Sequence, residues 1–352
     1  MTKNKFKLSV VAGMLLTSSA IAGTVTAPNS VNIEISGDVE LKMLSEKTGS
    51  TEVQKRTAEV NLGLESELKD GLKVVTAFRV YDGTQANSAA DTFATTQAYA
   101  LIPFMETGEL KAGLAENDVY GTDAFDNGGE SWKLSVKVPV AKDFTATLVS
   151  TIADEKENDD NTGDSESTAL RIDGKIADYE LGAKYTNAYT DKNNAGEVKT
   201  NTTSAYVMGS ISSVDVSLEL ASASKSQKGY FLSLGKEFGA LNTGLTYVNL
   251  SNGLKGGDDF ALGMILDGNI DSSTTKDTSA IAIPLEYALN DKLTANAALI
   301  EIDNQGNDGR EINLGAAYAL SDSAELSVAY GKYTQDNADD QTNIELTVAI
   351  EF

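Results

Sequence analysis

Residues 342–352 read TNIELTVAIEF, and from Asn343 onward every even position is apolar: Ile344, Leu346, Val348, Ile350 and Phe352. The odd positions, Asn343, Glu345, Thr347, Ala349 and Glu351, are polar or small. A period of two belongs to a strand whose two faces meet different surroundings. In water an apolar ring beside a terminal carboxylate gains little, and chain ends fray unless something ties them down. The stretch therefore asks for a partner strand and for an apolar medium on one side.

The same period recurs upstream, in about eighteen segments of roughly ten residues between Asn32 and Phe352. Leu170, Ile172, Gly174 and Ile176 alternate with Arg171, Asp173 and Lys175; Val214, Val216, Leu218 and Leu220 alternate with Asp215, Ser217, Glu219 and Ala221. A soluble β-sandwich or adhesin also alternates, but its inner face would be a core, and this face is charged. A sheet that is apolar outside and charged inside fits lipid outside and water inside.

The connections fall into two alternating classes. After even-numbered segments they are tight: Lys69-Asp70-Gly71, Met105 to Gly108, Ser212-Ser213, Asn290-Asp291 and Ser321 to Ser323. After odd-numbered ones they are mostly longer and acidic: Leu44 to Lys55, Asp82 to Ala94, Glu116 to Gly129, Ile152 to Glu166, Ala188 to Asn201 and Leu250 to Asp277. Short turns on one rim and long loops on the other predict an all-β, transmembrane antiparallel barrel of about 18 strands, with periplasmic turns and extracellular loops. Phe260 to Asp267 also has strand character, but counting it alone gives an odd total and reverses the closing strand. It is read as a loop folded over or into the mouth, and sixteen strands is the alternative count.

Composition narrows the chemistry. The chain has 352 residues, a formal net charge of −24, and neither His nor Cys. That charge offers no basic stripe for phosphates, which argues against nucleic acid and suits cations. Without His and Cys there is no Ser-His or Cys-His nucleophile, no His/Cys zinc site and no disulfide framework. Ser-Lys and carboxylate-pair enzymes survive that test, but no motif with their spacing occurs, so no enzyme is expected. At the N-terminus Lys3, Lys5 and Lys7 precede the apolar run Leu8 to Leu16 and the A-x-A site Ala20-Ile21-Ala22. This predicts a signal peptide over 1–22, cleaved after Ala22, and a single barrel domain over 23–352. Losing three lysines would take the net charge from −24 to −27.

A closing strand with Ile344, Leu346, Val348, Ile350 and a terminal Phe352 resembles the signature read by the bacterial outer-membrane barrel assembly machinery. In strand and loop order the whole exported part resembles the general, non-specific Gram-negative outer-membrane porins. The resemblance implies a homotrimer of water-filled channels in the outer membrane, in contact with lipid and lipopolysaccharide, passing ions and small hydrophilic solutes without a cofactor. It further implies that the third long loop folds into the barrel. Here that loop is AENDVYGTDAFDNGGE, Ala115 to Glu130, with Glu116, Asp118, Asp123 and Asp126 and no basic residue. It is shorter than is usual in the family and lacks its fuller Pro-Glu-Phe-Gly-Gly-like run. Tyr120 and Phe125 could pin it by burying their rings, and Gly128-Gly129 could turn it back; the alternative is a solvated surface loop.

Alternation points Lys73 and Arg79 inward on the third strand, Lys111 on the fifth, and Lys133 and Lys137 on the sixth, where Trp132, Leu134, Val136 and Val138 face lipid. An acidic loop opposite a basic wall would set a transverse field across a narrow aqueous gap. The acid excess predicts a preference for small cations. The outer loop DEKENDDNTGDSES, residues 154–167, tempts a Ca²⁺ reading, but it lacks the spacing of a calcium loop. A solvated acidic loop, or loose divalent bridging to lipopolysaccharide, is the plainer expectation. Two other functions stay open: a structural or adhesive barrel with a plugged lumen, and a substrate-specific channel.

Overall fold

The alternating segments form long strands. In the computed structural model these are β1 Asn32–Thr48, β2 Thr51–Glu67, β3 Lys73–Gln85, β4 Thr92–Phe104, β5 Gly108–Glu116 and β6 Glu130–Ala141. They continue as β7 Phe144–Thr151, β8 Asp164–Ile176, β9 Tyr179–Lys192, β10 Val198–Ile211, β11 Val214–Ala223 and β12 Gln227–Phe238. The last six are β13 Leu241–Ser251, β14 Thr278–Asn290, β15 Leu293–Asn304, β16 Asn307–Ser321, β17 Ala324–Gln335 and β18 Gln341–Glu351. The structure describes residues 23–26, 32–68, 71–85, 88–89, 92–105, 107–116, 120–122, 124–125, 130–151, 164–192, 198–254, 264–265, 277–304, 306–336 and 338–352. The expected signal peptide, 1–22, lies outside them.

Each long strand pairs antiparallel with the next, and β18 returns to β1 in a register running from Asp38↔Glu351 to Thr48↔Gln341. The sheet is a closed 18-strand barrel, so no long edge is left unpaired. Two short segments attach to it: Gly23–Thr26 pairs with the start of β1, and Ser88–Ala89 with the end of β3. The five tight links read from the sequence all fall on one rim, as the alternation of link lengths requires. Several tolerate left-handed backbone without glycine, among them Ser212 and Ser213 at φ 51° and 64°, the geometry of a two-residue hairpin that follows strand twist.

The other rim departs from expectation at its first loop. Leu44 to Lys55 is a continuous hairpin that turns at Gly49-Ser50, with Thr48 paired to Thr51. Strands also extend through much of Asp82–Ala94 and Ala188–Asn201. The ladder outruns the apolar band because backbone pairing needs no lipid, and Thr and Val keep it extended in water. In Phe260–Asp267, residues 264–265 form a bend rather than a strand.

The outer face carries large exposed apolar side chains all round the barrel, such as Trp132, Leu170, Ile283, Leu314 and Ile344. A soluble surface would not expose so continuous an apolar band. Near the tight-turn rim Phe104, Tyr179, Phe238, Tyr287 and Tyr318 face outward and exposed, forming the aromatic belt expected at a membrane interface.

The interior is less uniform than the alternation implied. Val248 and Leu250 of β13, Ala280 and Ala282 of β14, and Ile300 and Ile302 of β15 point inward yet are buried, in one cluster with Tyr333 of β17. The run Ala297-Ala298-Leu299-Ile300 is apolar on both faces, with Leu299 exposed on the outer face and Ile300 buried on the inner one. One sector of the lumen is therefore filled and water-excluded.

Candidate functional site

What fills that sector is loop. The third outer loop leaves β5, enters the barrel and reaches strands β8 to β12. Tyr120, 2% exposed, meets Tyr206 edge-on at 5.0 Å between ring centroids. Arg171 and Lys184 are direct cross-strand partners on β8 and β9, a like-charge pair. The Tyr120 ring lies 4.8 Å from the Arg171 guanidinium carbon and 5.6 Å from Lys184 Nζ. One ring thus serves two cations that repel each other, each cation–π contact contributing about 0.5–2 kcal/mol with burial.

Gly121 turns the loop with φ +63°, and a Cβ there would stand 2.8 Å from the Tyr206 ring. Thr122 follows, donating its N–H at 3.0 Å and its hydroxyl at 2.6 Å to Glu219 Oε2 on β11. Glu219 is 1% exposed; a carboxylate so placed is stabilised by donors aimed at it. Ala124 and Phe125 then join the apolar cluster. Burial, chiefly, then the neighbouring Tyr206 and Glu219, pushes the Tyr120 phenol well above the usual tyrosine range, against a smaller opposing pull from Arg171.

Residues 264–265 of a second outer connection, after β13, also lie in the lumen. The backbone N–H groups of Met264 and Ile265 donate to one oxygen of Glu311, at 2.7 and 2.8 Å, and Glu311 on β16 is fully buried. Ile265 and Leu254 pack on the apolar cluster.

The opposite arc, β18 and β1 to β6, carries charge. Lys73 bonds Glu65 at 2.6 Å. Arg79 Nε lies 3.1 Å from both Asn61 Oδ1 and Glu59 Oε1, and Asn61 donates to Asp38 at 3.0 Å. Lys42 meets Glu345 at 3.3 Å. Lys73, Glu65 and Arg79 side chains are 39–42% exposed, so the β2–β3 part of this wall is wetted, whereas Lys133 and Ser135 on β6 and Glu345 and Thr347 on β18 are buried.

The expected site residues are therefore distributed. Glu116 ends β5, exposed, and its carbonyl accepts a hydrogen bond from Nζ of the buried Lys133. Asp118, Asp123 and Asp126 lie outside the described residues. Lys73 and Arg79 are matched by carboxylates of their own wall, Lys111 sits 5.4 Å over the Tyr99 ring, and Lys137 is exposed on β6. Phe352 seals the β18–β1 seam through Gly37. Among the described residues the cations that meet the Tyr120 ring are Arg171 and Lys184, and the anchors are Glu219 for the third loop and Glu311 for Met264 and Ile265. Alternation marks all four as inward, but nothing in their spacing marks them as anchors. Among the described residues no cluster of three or more acidic side chains could hold a metal ion; residues 152–163 lie outside that statement.

A family model described as Gram-negative porin matches residues 9–349. Several solved structures share the fold. OccAB4 of Acinetobacter baumannii is 11% identical with a TM-score of 0.66, the match covering 93% of this chain and 100% of that one. OpdO of Pseudomonas aeruginosa is 12% identical with a TM-score of 0.69 over 91% and 97%. OpdK of the same organism, solved with vanillate, is 11% identical with a TM-score of 0.68 over 90% and 99%. Such identities carry the fold alone. A search of curated proteins finds no match.

Proposed function

We propose, for a chain that belongs to the Gram-negative porin family and to the bacterial outer membrane, passive diffusion of ions and small hydrophilic solutes along the charged arc of the barrel. The division of the lumen carries this reading: loops occupy the apolar sector, and a charged wall of β1 to β6, wetted along β2 and β3, faces them. No catalytic step or cofactor enters it, and acidic outer loops such as 152–163 act as loose bridges through divalent cations to lipopolysaccharide.

Small cations are the preferred ions. On the open arc Lys73 and Arg79 are offset by Glu65 and Glu59, while Glu34, Asp38 and Glu40 share the same inward face. The loop carboxylates Glu116, Asp118, Asp123 and Asp126 add to that sign, with Lys111 and Lys137 as the basic counterpart, while Lys133 is engaged by the Glu116 carbonyl. Low-dielectric walls concentrate such a field. Assembly proceeds through recognition of the Phe352 strand by the barrel assembly machinery, to a homotrimer.

Planar-bilayer recording tests this. Stepwise openings with a reversal potential of cation sign across a KCl gradient support it; electrically silent protein points to a plugged scaffold, and an anion preference rejects the selectivity. A substrate-specific channel is the second reading, favoured by the Arg171–Lys184 pair against Tyr120. An aromatic carboxylate such as the vanillate of OpdK offers charge and ring to that arrangement, and saturable block of the current by vanillate would favour it.

A further inference from the structure

We propose that Glu311 is a positioning residue for permeation: by holding Met264 and Ile265 it seats these two residues of the connection between β13 and β14 against the inner wall, where they narrow the passage. Their seat and that of the third loop together, rather than the third loop alone, then set the size limit for solutes. This rests on the channel reading above.

Four observations converge on it. Successive N–H groups of a bend close on a single carboxylate oxygen, at 2.7 and 2.8 Å; backbone donors curled this way form an anion-binding concavity. That carboxylate is fully buried between its cross-strand neighbours Ile300 and Tyr333, where a charge without donors would be very costly. The wall is also shaped for the loop: a Cβ on Gly331 would stand 3.0 Å from Met264 Sδ and 3.2 Å from its Cβ. Finally, the two loops share a footing, because a Cβ on Gly229 would meet Phe125 of one at 2.4 Å and Leu254 of the other at 2.6 Å. Loosening either loop removes packing from its neighbour.

The chain has no cysteine, so an introduced pair reports on the seat cleanly. Met264→Cys with Gly331→Cys would place two Cβ atoms 3.2 Å apart, a few tenths of an ångström short of the usual disulfide range of about 3.5–4.5 Å, a gap a small shift of the bend closes. In detergent-purified protein this pair should crosslink on mild oxidation, and adding Glu311→Ala should lower the yield. In bilayers Glu311→Ala should conduct more than the parent and pass larger sugars in vesicle swelling, with Glu311→Gln in between. Oxidising the cysteine pair in the Glu311→Ala background should restore the parental conductance. Failure of the pair to crosslink in folded barrels overturns the proposal, and so does Glu311→Ala that crosslinks poorly yet conducts and sieves like the parent. Should the cysteine pair itself block folding, the conductance and sieving of Glu311→Ala and Glu311→Gln decide alone. If the parent is silent while the pair crosslinks, the channel reading fails and the docked loop stands as part of a plug.

Discussion

Gly37 and Phe352 exchange backbone hydrogen bonds in both directions, at 2.8 and 2.9 Å, so the first and last long strands meet in register at the tight-turn rim. The Phe352 ring lies over Gly37, where a Cβ would stand 2.9 Å from its Cζ and 2.3 Å from the Asn61 carbonyl oxygen on the other side. Gly37→Val should therefore obstruct closure from two directions, by more than the roughly 1–3 kcal/mol of ordinary overpacking. The expected outcome is a lower yield of the heat-modifiable folded band when the protein is refolded into detergent. Adding Phe352→Ala should not restore it, because the Asn61 carbonyl remains.

Glu219 fixes the third loop through two donors of Thr122. Hydrogen bonds to a charged group contribute about 1.5–3 kcal/mol each, so Glu219→Ala should release the loop while the barrel, closed by its ladders, still folds. Limited proteolysis should then cut near residues 117–129 in the folded protein, and single-channel traces should become noisier. Glu219→Gln, which keeps an acceptor, should be milder on both counts.

On the open arc Arg79 lies beside Glu59, and Lys73 beside Glu65. Partly exposed pairs such as these contribute little to stability, but each sets the sign of the field at its level. Glu59→Gln and Glu65→Gln should each uncover a positive charge and move the reversal potential toward zero. Lys73→Gln should move it the other way. The shifts should shrink at high salt, where screening acts within a few ångströms, about 3 Å at 1 M.

Much of this was legible in the sequence because period two and link length are local signals. Ile344 to Phe352, or Val214 to Leu220, give their faces without reference to anything else, and the tight links fix which rim is which. The filled sector was not legible in the same way. Val248, Leu250 and Ile302 occupy inward positions where a uniformly wet lumen would want polar groups, and only long-range packing of Phe125, Leu254 and Ile265 explains them. The anchors were hidden for a related reason. Glu219 looks like one more lumen carboxylate until Thr122, 97 residues away, is brought to it, and Glu311 until Met264, 47 residues away, is brought to it.

Tyr120 supplies a pH signature for the docked third loop. Its phenol is raised by burial, and its hydroxyl has no hydrogen-bond partner among the described residues. A group whose docked value lies above its free value favours docking fully below the free value, about 10 for tyrosine, and progressively less above it. Docking should therefore hold through neutral pH and weaken as the solution passes above the ordinary tyrosine range. Absorbance at the phenolate band should show a late-titrating fraction of the tyrosines that shrinks by one residue in Tyr120→Phe. Channel noise should rise over the same alkaline interval in the parent. Tyr120→Phe, which keeps the ring over Arg171 and Lys184 but has no proton to lose, should stay quiet there; a rise of equal size in both proteins would assign the effect to other groups.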